Sequence, residues 1–253
     1  MLFRSEPSHL AVRLGLRTVR GLHDALLDRI DDERAAVAFT DLDDFVRRTG
    51  ATVDQLEALA TAGAFEQCFG RSRRADLWAA GAYGAARPRA RADGTVVEAL
   101  PGVVTGADAP PLPGLTEAET VRADLWAMGL SVGKHPTELV RPALAAEGVV
   151  TAADLRDRSD RSVVEVAGVV THRQQPSTAK GTVFLNLEDE TGLVNVICSP
   201  GVWKRFRAVA RGASALRVRG VLERHQGVVN LVATRIARLP EIPLDTLRSR
   251  DFR

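Results

Sequence analysis

The chain has 253 residues, of which 45% are hydrophobic and 26% are charged, and its formal net charge is +2. This composition is typical of a soluble globular protein, and the length suffices for two or three small domains. We expect neither a membrane span nor a signal peptide, because no apolar run is long enough. The two cysteines, Cys68 and Cys198, lack zinc spacing and favour reduced thiols in the cytoplasm.

The first predicted region, residues 1–83, is helical. Apolar residues at helical spacing and good capping residues predict four helices, over residues 22–34, from an N-cap at Thr40 to a stop at Gly50, over 53–62 and over 73–82. Trp78, like Trp126 and Trp203 further along the chain, falls within a helical pattern and is predicted to belong to a core.

Two glycine turns in this region, at Gly21 and Gly63, resemble helix-hairpin-helix motifs. Glycine lets the backbone approach a phosphate closely, and free N–H groups at a helix start bind the anion. The alternative is that both turns are plain connections between helices, and His23 stands where a second glycine is common. The predicted DNA contacts are Gly21, Arg17 and Arg20 at the first turn, and Gly63, Arg71, Arg73 and Arg74 at the second.

Residues 84–115 contain five of the twelve prolines and are predicted to form a linker or an ordered strap, with a short strand at 95–97. Thr116 and Glu119 have the spacing of a capping box, which predicts the start of a helix there. This helix opens a small helical connector over residues 116–160.

Residues 161–240 read as five short β segments with one helix between the third and the fourth. This order predicts a five-stranded oligonucleotide/oligosaccharide-binding (OB) barrel, and 241–253 are left as a tail. The chain as a whole is therefore predicted to be a multi-domain α+β protein. Residues 163–239 hold 11 Lys and Arg against 5 Asp and Glu, a net charge of +6, which favours a nucleic-acid partner.

The binding face of an OB barrel comprises its second and third strands and two loops. In strand two, Val183, Leu185 and Leu187 alternate with outward residues, so Phe184 is a candidate platform for a base. The alternative for Phe184 is that it covers a hydrophobic patch. The alternative for the two loops is that they are ordinary solvated loops without a ligand. The predicted barrel contacts are Phe184, Asn186, Arg173, Gln174, Lys180 and Arg224.

No catalytic or metal site is predicted, and no cofactor. Glu188, Asp189 and Glu190 form the one dense acidic cluster of the barrel, but neighbours on a strand point to opposite faces and a polar hairpin turn is expected there. The histidines are scattered along the chain without a partner pattern.

The chain resembles the C-terminal part of a bacterial C-family DNA polymerase, and within that family the error-prone, damage-tolerant paralogue of the polymerase III alpha subunit. The phrases that carry the resemblance are AVRLGLRTVRGL, LEALATAGAF, RSRRADLW, ADLWAMGLSVGKHP, GVVTHRQQPSTAKGTVFLNLEDETGLVNVI, GVVNLVA and SRDFR. The resemblance implies a DNA-directed DNA polymerase, a nucleotidyltransferase that acts in DNA replication and repair by translesion synthesis and in damage-induced mutagenesis.

In that family the PHP domain, palm, thumb and fingers come before the matching segment, and the catalytic aspartates lie in the palm. We therefore expect a fragment that holds DNA and is inactive alone, with hairpins on duplex and the barrel on single-stranded template. One alternative is a protein-interaction module that docks onto other proteins of a mutagenesis complex. Another is an RNA-binding barrel like the anticodon-binding domain of aminoacyl-tRNA synthetases, which leaves the hairpins unexplained.

Overall fold

A computed structural model describes residues 13–85, 89–90, 96–97, 104, 106–225, 227–239 and 250–252. These residues form two compact units, one that ends at Leu130 and one that starts at Ser131. The division falls inside the predicted connector 116–160, and much of the predicted linker 84–115 lies outside the described residues. Among the helices that are described, none combines the length and the apolar character needed to cross a membrane.

The amino-terminal unit is almost entirely helical, which confirms the predicted fold class of this region. Its elements, in chain order, are a 3₁₀ turn Leu16–Thr18, α1 Asp24–Ala36, α2 Leu42–Thr49, α3 Val53–Thr61, α4 Glu66–Phe69, α5 Arg73–Ala85, β1 Arg89–Ala90, β2 Val96–Val97 and α6 Glu117–Met128. The short strands β1 and β2 pair antiparallel.

Capping residues determine where these helices begin. Thr116 and Glu119 form the predicted capping box at the start of α6. The N-cap of α2 is Asp41 rather than the predicted Thr40, because the Asp41 carboxylate accepts a hydrogen bond from the backbone N–H of Asp44 at 2.8 Å. The predicted stop at Gly50 is confirmed by its left-handed φ of +64°.

The core of this unit is built around leucines of α3 and a series of aromatic contacts. Leu56 and Leu59 are fully buried, and Phe45 makes edge-to-face contacts with Phe39 and Phe65. The prediction that Trp78 and Trp126 lie in the core is wrong. Their side chains are about half exposed, since α5 and α6 turn smaller side chains inward instead.

A buried ion pair joins α5 to α6. Arg73 Nη1 lies 2.6 Å from Asp124 Oδ1, and only 1% of the Asp124 side chain is exposed. The same guanidinium donates to the Thr61 carbonyl and lies within 3.3 Å of the Glu66 carboxylate. Burial lowers the pKa of Arg73, but the hydrogen bond and charge of Asp124 raise it more, so the guanidinium stays charged.

We expect Asp124→Ala to lower the free energy of unfolding of this unit by about 3–5 kcal/mol, because Arg73 keeps a buried charge without its main counter-ion. Urea unfolding followed by circular dichroism at 222 nm measures the change. Asp31→Ala, which removes a solvent-exposed pair with Arg34, is the control and costs less than about 1 kcal/mol. An equal small loss in both variants would contradict this reading of the buried pair.

The carboxyl-terminal unit combines short helical turns with a barrel. Its elements are a 3₁₀ turn Pro136–Val140, α7 Arg141–Ala146, a 3₁₀ turn Asp154–Arg156, β3 Val163–Gln174, a 3₁₀ turn Ser177–Ala179, β4 Val183–Asp189, β5 Gly192–Cys198, α8 Pro200–Gly212, β6 Ala215–His225, β7 Val228–Arg238 and β8 Arg250–Phe252.

Strands β3 to β7 close into a five-stranded barrel. Antiparallel pairs join β3 to β4, β4 to β5, β3 to β6 and β6 to β7, and a parallel pair between β5 and β7 completes the circle. With α8 between the third and fourth barrel strands, this is the predicted OB topology. A sixth strand that was not predicted, β8, pairs parallel with β3 in a register that places Arg250 beside His172.

The predicted alternation of β4 is confirmed, since Val183, Leu185 and Leu187 are all buried in the barrel core. Gly220 sits in β6 at a β-bulge, where a β-carbon would lie 2.3 Å from the carbonyl oxygen of Val232 in β7. Because such a contact is impossible, the two strands approach closely here only with glycine at this position.

The acidic cluster forms the turn between β4 and β5. The Asp189 carboxylate accepts hydrogen bonds from the N–H groups of Thr191 and Gly192 at 2.7 and 3.0 Å. Glu190 pairs with Arg141 and accepts the Thr137 hydroxyl at 2.6 Å. These contacts tie the barrel to the helical turns before it, and within the described ranges no three Asp, Glu, His or Cys side chains converge on a metal position.

His135 lies buried beside this turn and contacts Thr137 through its Nδ1 atom. Burial lowers the pKa of His135 below its ordinary value of 6.5, although the nearby carboxylates of the cluster offset part of this effect. For Glu190, burial raises the pKa, but hydrogen bonds from Arg141 and Thr137 bring it below the ordinary value. The arrangement therefore favours a neutral histidine beside a charged carboxylate.

The stability of the barrel unit is expected to fall as the pH drops from 7 to 5. The unfolded chain protonates His135 near its ordinary pKa of 6.5, whereas the folded chain resists this, so the unfolded state takes up more protons in that range. Urea midpoints at several pH values test this, and His135→Gln should flatten the profile. His23→Gln, at an exposed position, should leave the profile unchanged, and a flat wild-type profile would contradict the prediction.

Candidate nucleic-acid interface

The outward side of the barrel strands β4, β5 and β7 carries two ordered rows of side chains. In one row Phe184 stands opposite Ile197, which in turn stands opposite Val232. Residues that face one another in neighbouring strands lie about 5 Å apart. The row is therefore a continuous apolar strip that crosses three strands, and we call it the apolar row.

The second row consists of three asparagines. Asn186 in β4 is the register partner of Asn195 in β5, and Asn195 is the partner of Asn230 in β7. Asn195 is exposed and the other two are half-buried. Across the part of the chain that the structure describes, no hydrogen bond is formed by these three side-chain amides. We call this the asparagine row.

Each row has a polar neighbour on β3. Gln174 is the register partner of Phe184, and His172 is the partner of Asn186. Of the predicted loop residues, Gln174, Lys180 and Arg224 are exposed, and Arg173 is buried. Lys180 has a left-handed backbone with φ of +48°, directly after the 3₁₀ turn in the β3–β4 loop. The structure thus brings Phe184, Asn186 and Gln174 together on one face, with Lys180 in the loop that borders it.

The chemistry of the two rows suits a nucleic acid. Amide side chains offer both donors and acceptors, as base edges do. A flat aromatic ring flanked by aliphatic side chains accepts any base, because every base has a π face. An amide without a partner inside the protein exchanges only hydrogen bonds with water when it contacts a ligand.

Arg173 does not lie on this face. Only 8% of Arg173 is exposed, and its guanidinium donates to the backbone carbonyls of Ala210 and Ala213 at the end of α8. Successive strand residues point to opposite sides, so an outward Gln174 requires an inward Arg173. Arg173 therefore caps the carboxyl-terminal end of α8. This position does not favour its predicted contact with phosphate.

Arg224 is also occupied within the chain. Its terminal Nη2 donates to the backbone carbonyls of Leu155 and Arg158, at 2.9 and 2.7 Å, and to that of Arg156. The guanidinium therefore organises the turn before β3. Phosphate binding by Arg224 would need these hydrogen bonds to be exchanged, which the sequence-based prediction did not take into account.

At the first predicted hairpin, Gly21 adopts a left-handed φ of +84° and faces open space. Arg17 pairs with Asp24 and Asp28, which places two carboxylates at the start of α1 and disfavours an anion there. Arg20 donates to the Trp126 carbonyl at 3.0 Å. The predicted cations of this turn thus have partners within the unit.

At the second predicted hairpin, too, the predicted cations have partners within the unit. A β-carbon at Gly63 would lie 2.6 Å from Arg73 Nε, so this glycine makes room for the buried guanidinium of Arg73. Arg71 pairs with Asp76 at 2.8 Å, and Arg74 pairs with Glu119 at 2.8 Å. Close approach by glycine was predicted here, but the group that approaches is an arginine of the chain itself.

Four residues of the two rows were missed by reasoning from sequence, namely Ile197, Asn195, Val232 and Asn230. Alternation along β5 could have assigned Asn195 and Ile197 to the outward side. Alternation does not show that these residues align with Asn230 and Val232 of β7, because closure of the barrel sets the register of the parallel β5–β7 pair.

Comparison with protein families agrees with this architecture. Residues 164–239 match the family described as OB-fold nucleic acid binding domain, and residues 2–76 match the family described as helix-hairpin-helix motif. The fold, the face and both matches define a protein of the class that binds nucleic acid through modular domains.

The particular relatives are error-prone DNA polymerases. The chain is 49% identical over 243 residues to the error-prone DNA polymerase of Mycolicibacterium paratuberculosis, covering 96% of this chain and 21% of that protein. It is 48% identical over 247 residues to that of Mycobacterium tuberculosis (strain ATCC 25618 / H37Rv), with the same coverage. The predicted resemblance to this family is confirmed, and the chain spans about a fifth of the length of the curated relatives it matches.

Among solved structures, asparaginyl-tRNA synthetase from Pyrococcus horikoshii aligns with a TM-score of 0.31 and 20% identity, over 39% of this chain and 25% of that one.

We expect Arg173→Met to lower the free energy of unfolding of the barrel unit by about 1–3 kcal/mol, because two carbonyls at the end of α8 lose their donor. Urea unfolding measures this loss, and nucleic-acid affinity of the folded variant should stay unchanged. Gln174→Ala, its exposed neighbour, is the control and should alter stability by less than about 0.5 kcal/mol. Full stability together with weakened binding in Arg173→Met would restore the predicted direct contact.

Proposed function

We propose that this chain holds single-stranded DNA on the outward face of β4, β5 and β7. The observation that carries the proposal is the alignment of the apolar row with the asparagine row across three strands. In a single strand of DNA laid across the barrel, the faces of the bases would contact the apolar row. The edges of the bases would contact the asparagine row. Stacking on Phe184 supplies affinity that does not depend on sequence, since each stacked base contributes about 1–3 kcal/mol.

The phosphates of such a strand need cations at the border of the face. Lys180 supplies one, because it is exposed in the β3–β4 loop beside the apolar row. Gln174, next to Phe184 in register, adds a neutral donor that suits a sugar or a phosphate oxygen. Arg173 and Arg224 have no part in this proposal, since their guanidinium groups bind backbone carbonyls.

DNA is proposed as the nucleic acid because the relatives are named error-prone DNA polymerases. In such a polymerase this segment would position the template strand during translesion synthesis and damage-induced mutagenesis. We assign it strand holding and no bond-making step. We also propose that the Gly21 and Gly63 turns contact duplex DNA through their backbone, because the arginines beside both turns have internal partners.

Phe184→Ala is expected to weaken binding of this chain to a fluorescent single-stranded DNA by about 5- to 150-fold, the equivalent of one lost stacking contact. The double variant Asn186→Ala/Asn195→Ala should weaken it as well, by removing hydrogen bonds to base edges. Fluorescence anisotropy at fixed salt measures both. Val163→Ala, at an exposed position of β3 away from the two rows, is the matched control and should bind normally.

Normal affinity in both face variants, with circular dichroism showing a folded barrel, would refute the proposed face. A wild-type chain that is folded and binds no DNA would refute DNA holding altogether and would favour the protein-interaction alternative. Preference for RNA of the same sequence would instead favour an RNA-binding barrel.

A further inference from the structure

The helix α8 has an unusual balance of charge. Its 13 residues include four basic side chains, Lys204, Arg205, Arg207 and Arg211, and no acidic one. Its inward side packs on the barrel core through Val202, Trp203, Phe206 and Val209. The four basic residues are all exposed. The helix thus presents a solvent-facing surface that carries a single sign of charge.

Three of these residues form one line along the helix. Lys204, Arg207 and Arg211 are spaced i, i+3 and i+7, which places them on one face. We call them the basic stripe. Arg205 is left out, because its guanidinium lies over the Phe206 ring at 5.3 Å. Gly201 lies on the exposed side as well, and a β-carbon there would meet nothing within 4 Å, so the surface is open to a close approach.

Among the described residues, six of the eight arginines on the other α-helices have acidic partners, and the exceptions are Arg29 and Arg122. On α2, Arg47 and Arg48 pair with Asp44, and on α5, Arg73 and Arg74 pair with Asp124 and Glu119. For the basic stripe, by contrast, no ion pair exists with any residue that the structure describes. Like charges three or four residues apart destabilise a helix by a few tenths of a kcal/mol. In this stripe the helix dipole offsets that repulsion only for Arg211, which lies in the last turn.

The stripe starts close to the proposed binding face. Ser199, the N-cap of α8, directly follows β5, in which Ile197 is the partner of Phe184. A β-carbon at Gly181 would lie 3.6 Å from Pro200, so the loop that carries Lys180 touches the first turn of α8. The apolar row, Lys180 and the stripe therefore occur in succession at one end of the barrel.

We infer that the basic stripe binds the phosphodiester backbone of the same DNA strand where it leaves the proposed face. Seven helical residues rise about 10 Å, which is about three phosphate-to-phosphate steps of roughly 3.4 Å each, as in one strand of B-form DNA. A polyanion with regular spacing is the ligand that complements three cations in line. The inference rests on the proposed function and extends its footprint from the strands to the helix.

The test compares two lengths of single-stranded DNA on the full chain. The triple variant Lys204→Gln/Arg207→Gln/Arg211→Gln should bind a long oligonucleotide of about 16 nucleotides roughly ten- to a hundredfold more weakly at 0.1 M salt, and should lower its salt slope by about 2. Binding of a short oligonucleotide of about 4 nucleotides, which covers only the face, should stay unchanged. Arg34→Gln/Arg47→Gln/Arg122→Gln removes the same net charge from exposed arginines of the amino-terminal unit and is the control.

Unchanged affinity and salt slope in a folded stripe variant would overturn the inference and would leave an acidic protein surface as the occupant to test. An equal loss in the control variant would also overturn it, since net charge would then explain the effect. These outcomes are distinct from failure of the proposed function, in which the wild-type chain itself fails to bind or Phe184→Ala has no effect on either oligonucleotide.

Discussion

The parallel pairing of β5 with β7 closes the barrel and sets the arrangement of side chains on its outward face. A parallel pair needs a long crossover, and here α8 and β6 supply it between the two strands. The closing register brings Asn230 beside Asn195 and Val232 beside Ile197. The pairing of β6 with β7 needs Gly220, because no side chain fits where these two strands meet. The proposed binding face is thus a consequence of how the barrel closes.

Arginine is used in this chain mainly to bind the chain itself. Arg20, Arg173 and Arg224 each donate to backbone carbonyls at the end of a helix or turn. Such carbonyls carry partial negative charge and lack partners within the helix, and the planar guanidinium has five N–H groups to offer them. Arg73 goes further and is buried against Asp124. A high arginine count therefore overstates the positive charge available to a nucleic acid.

The surfaces that remain for a ligand differ in their physics. The apolar and asparagine rows act over short distances through stacking and hydrogen bonds, which salt weakens little. The basic stripe of α8 acts through charge, which salt screens strongly. A strand held by both is gripped through its bases on the barrel and through its phosphates on the helix. This division fits a protein whose relatives are named error-prone DNA polymerases, since neither surface needs a particular sequence.

From the sequence alone we could predict the helical amino-terminal region, the OB barrel with its helix, and the resemblance to error-prone polymerases. Local patterns carry these features, because period-two alternation in β4 and the capping boxes depend on neighbours in the chain. Which arginines have internal partners depends instead on long-range packing, since Arg73 and Asp124 are 51 residues apart. Tertiary structure also decided the asparagine row, because Asn186, Asn195 and Asn230 meet only when three strands pair in one register. Sequence periodicity states which side of a strand a residue faces, but the partner across the sheet is chosen by closure of the whole barrel.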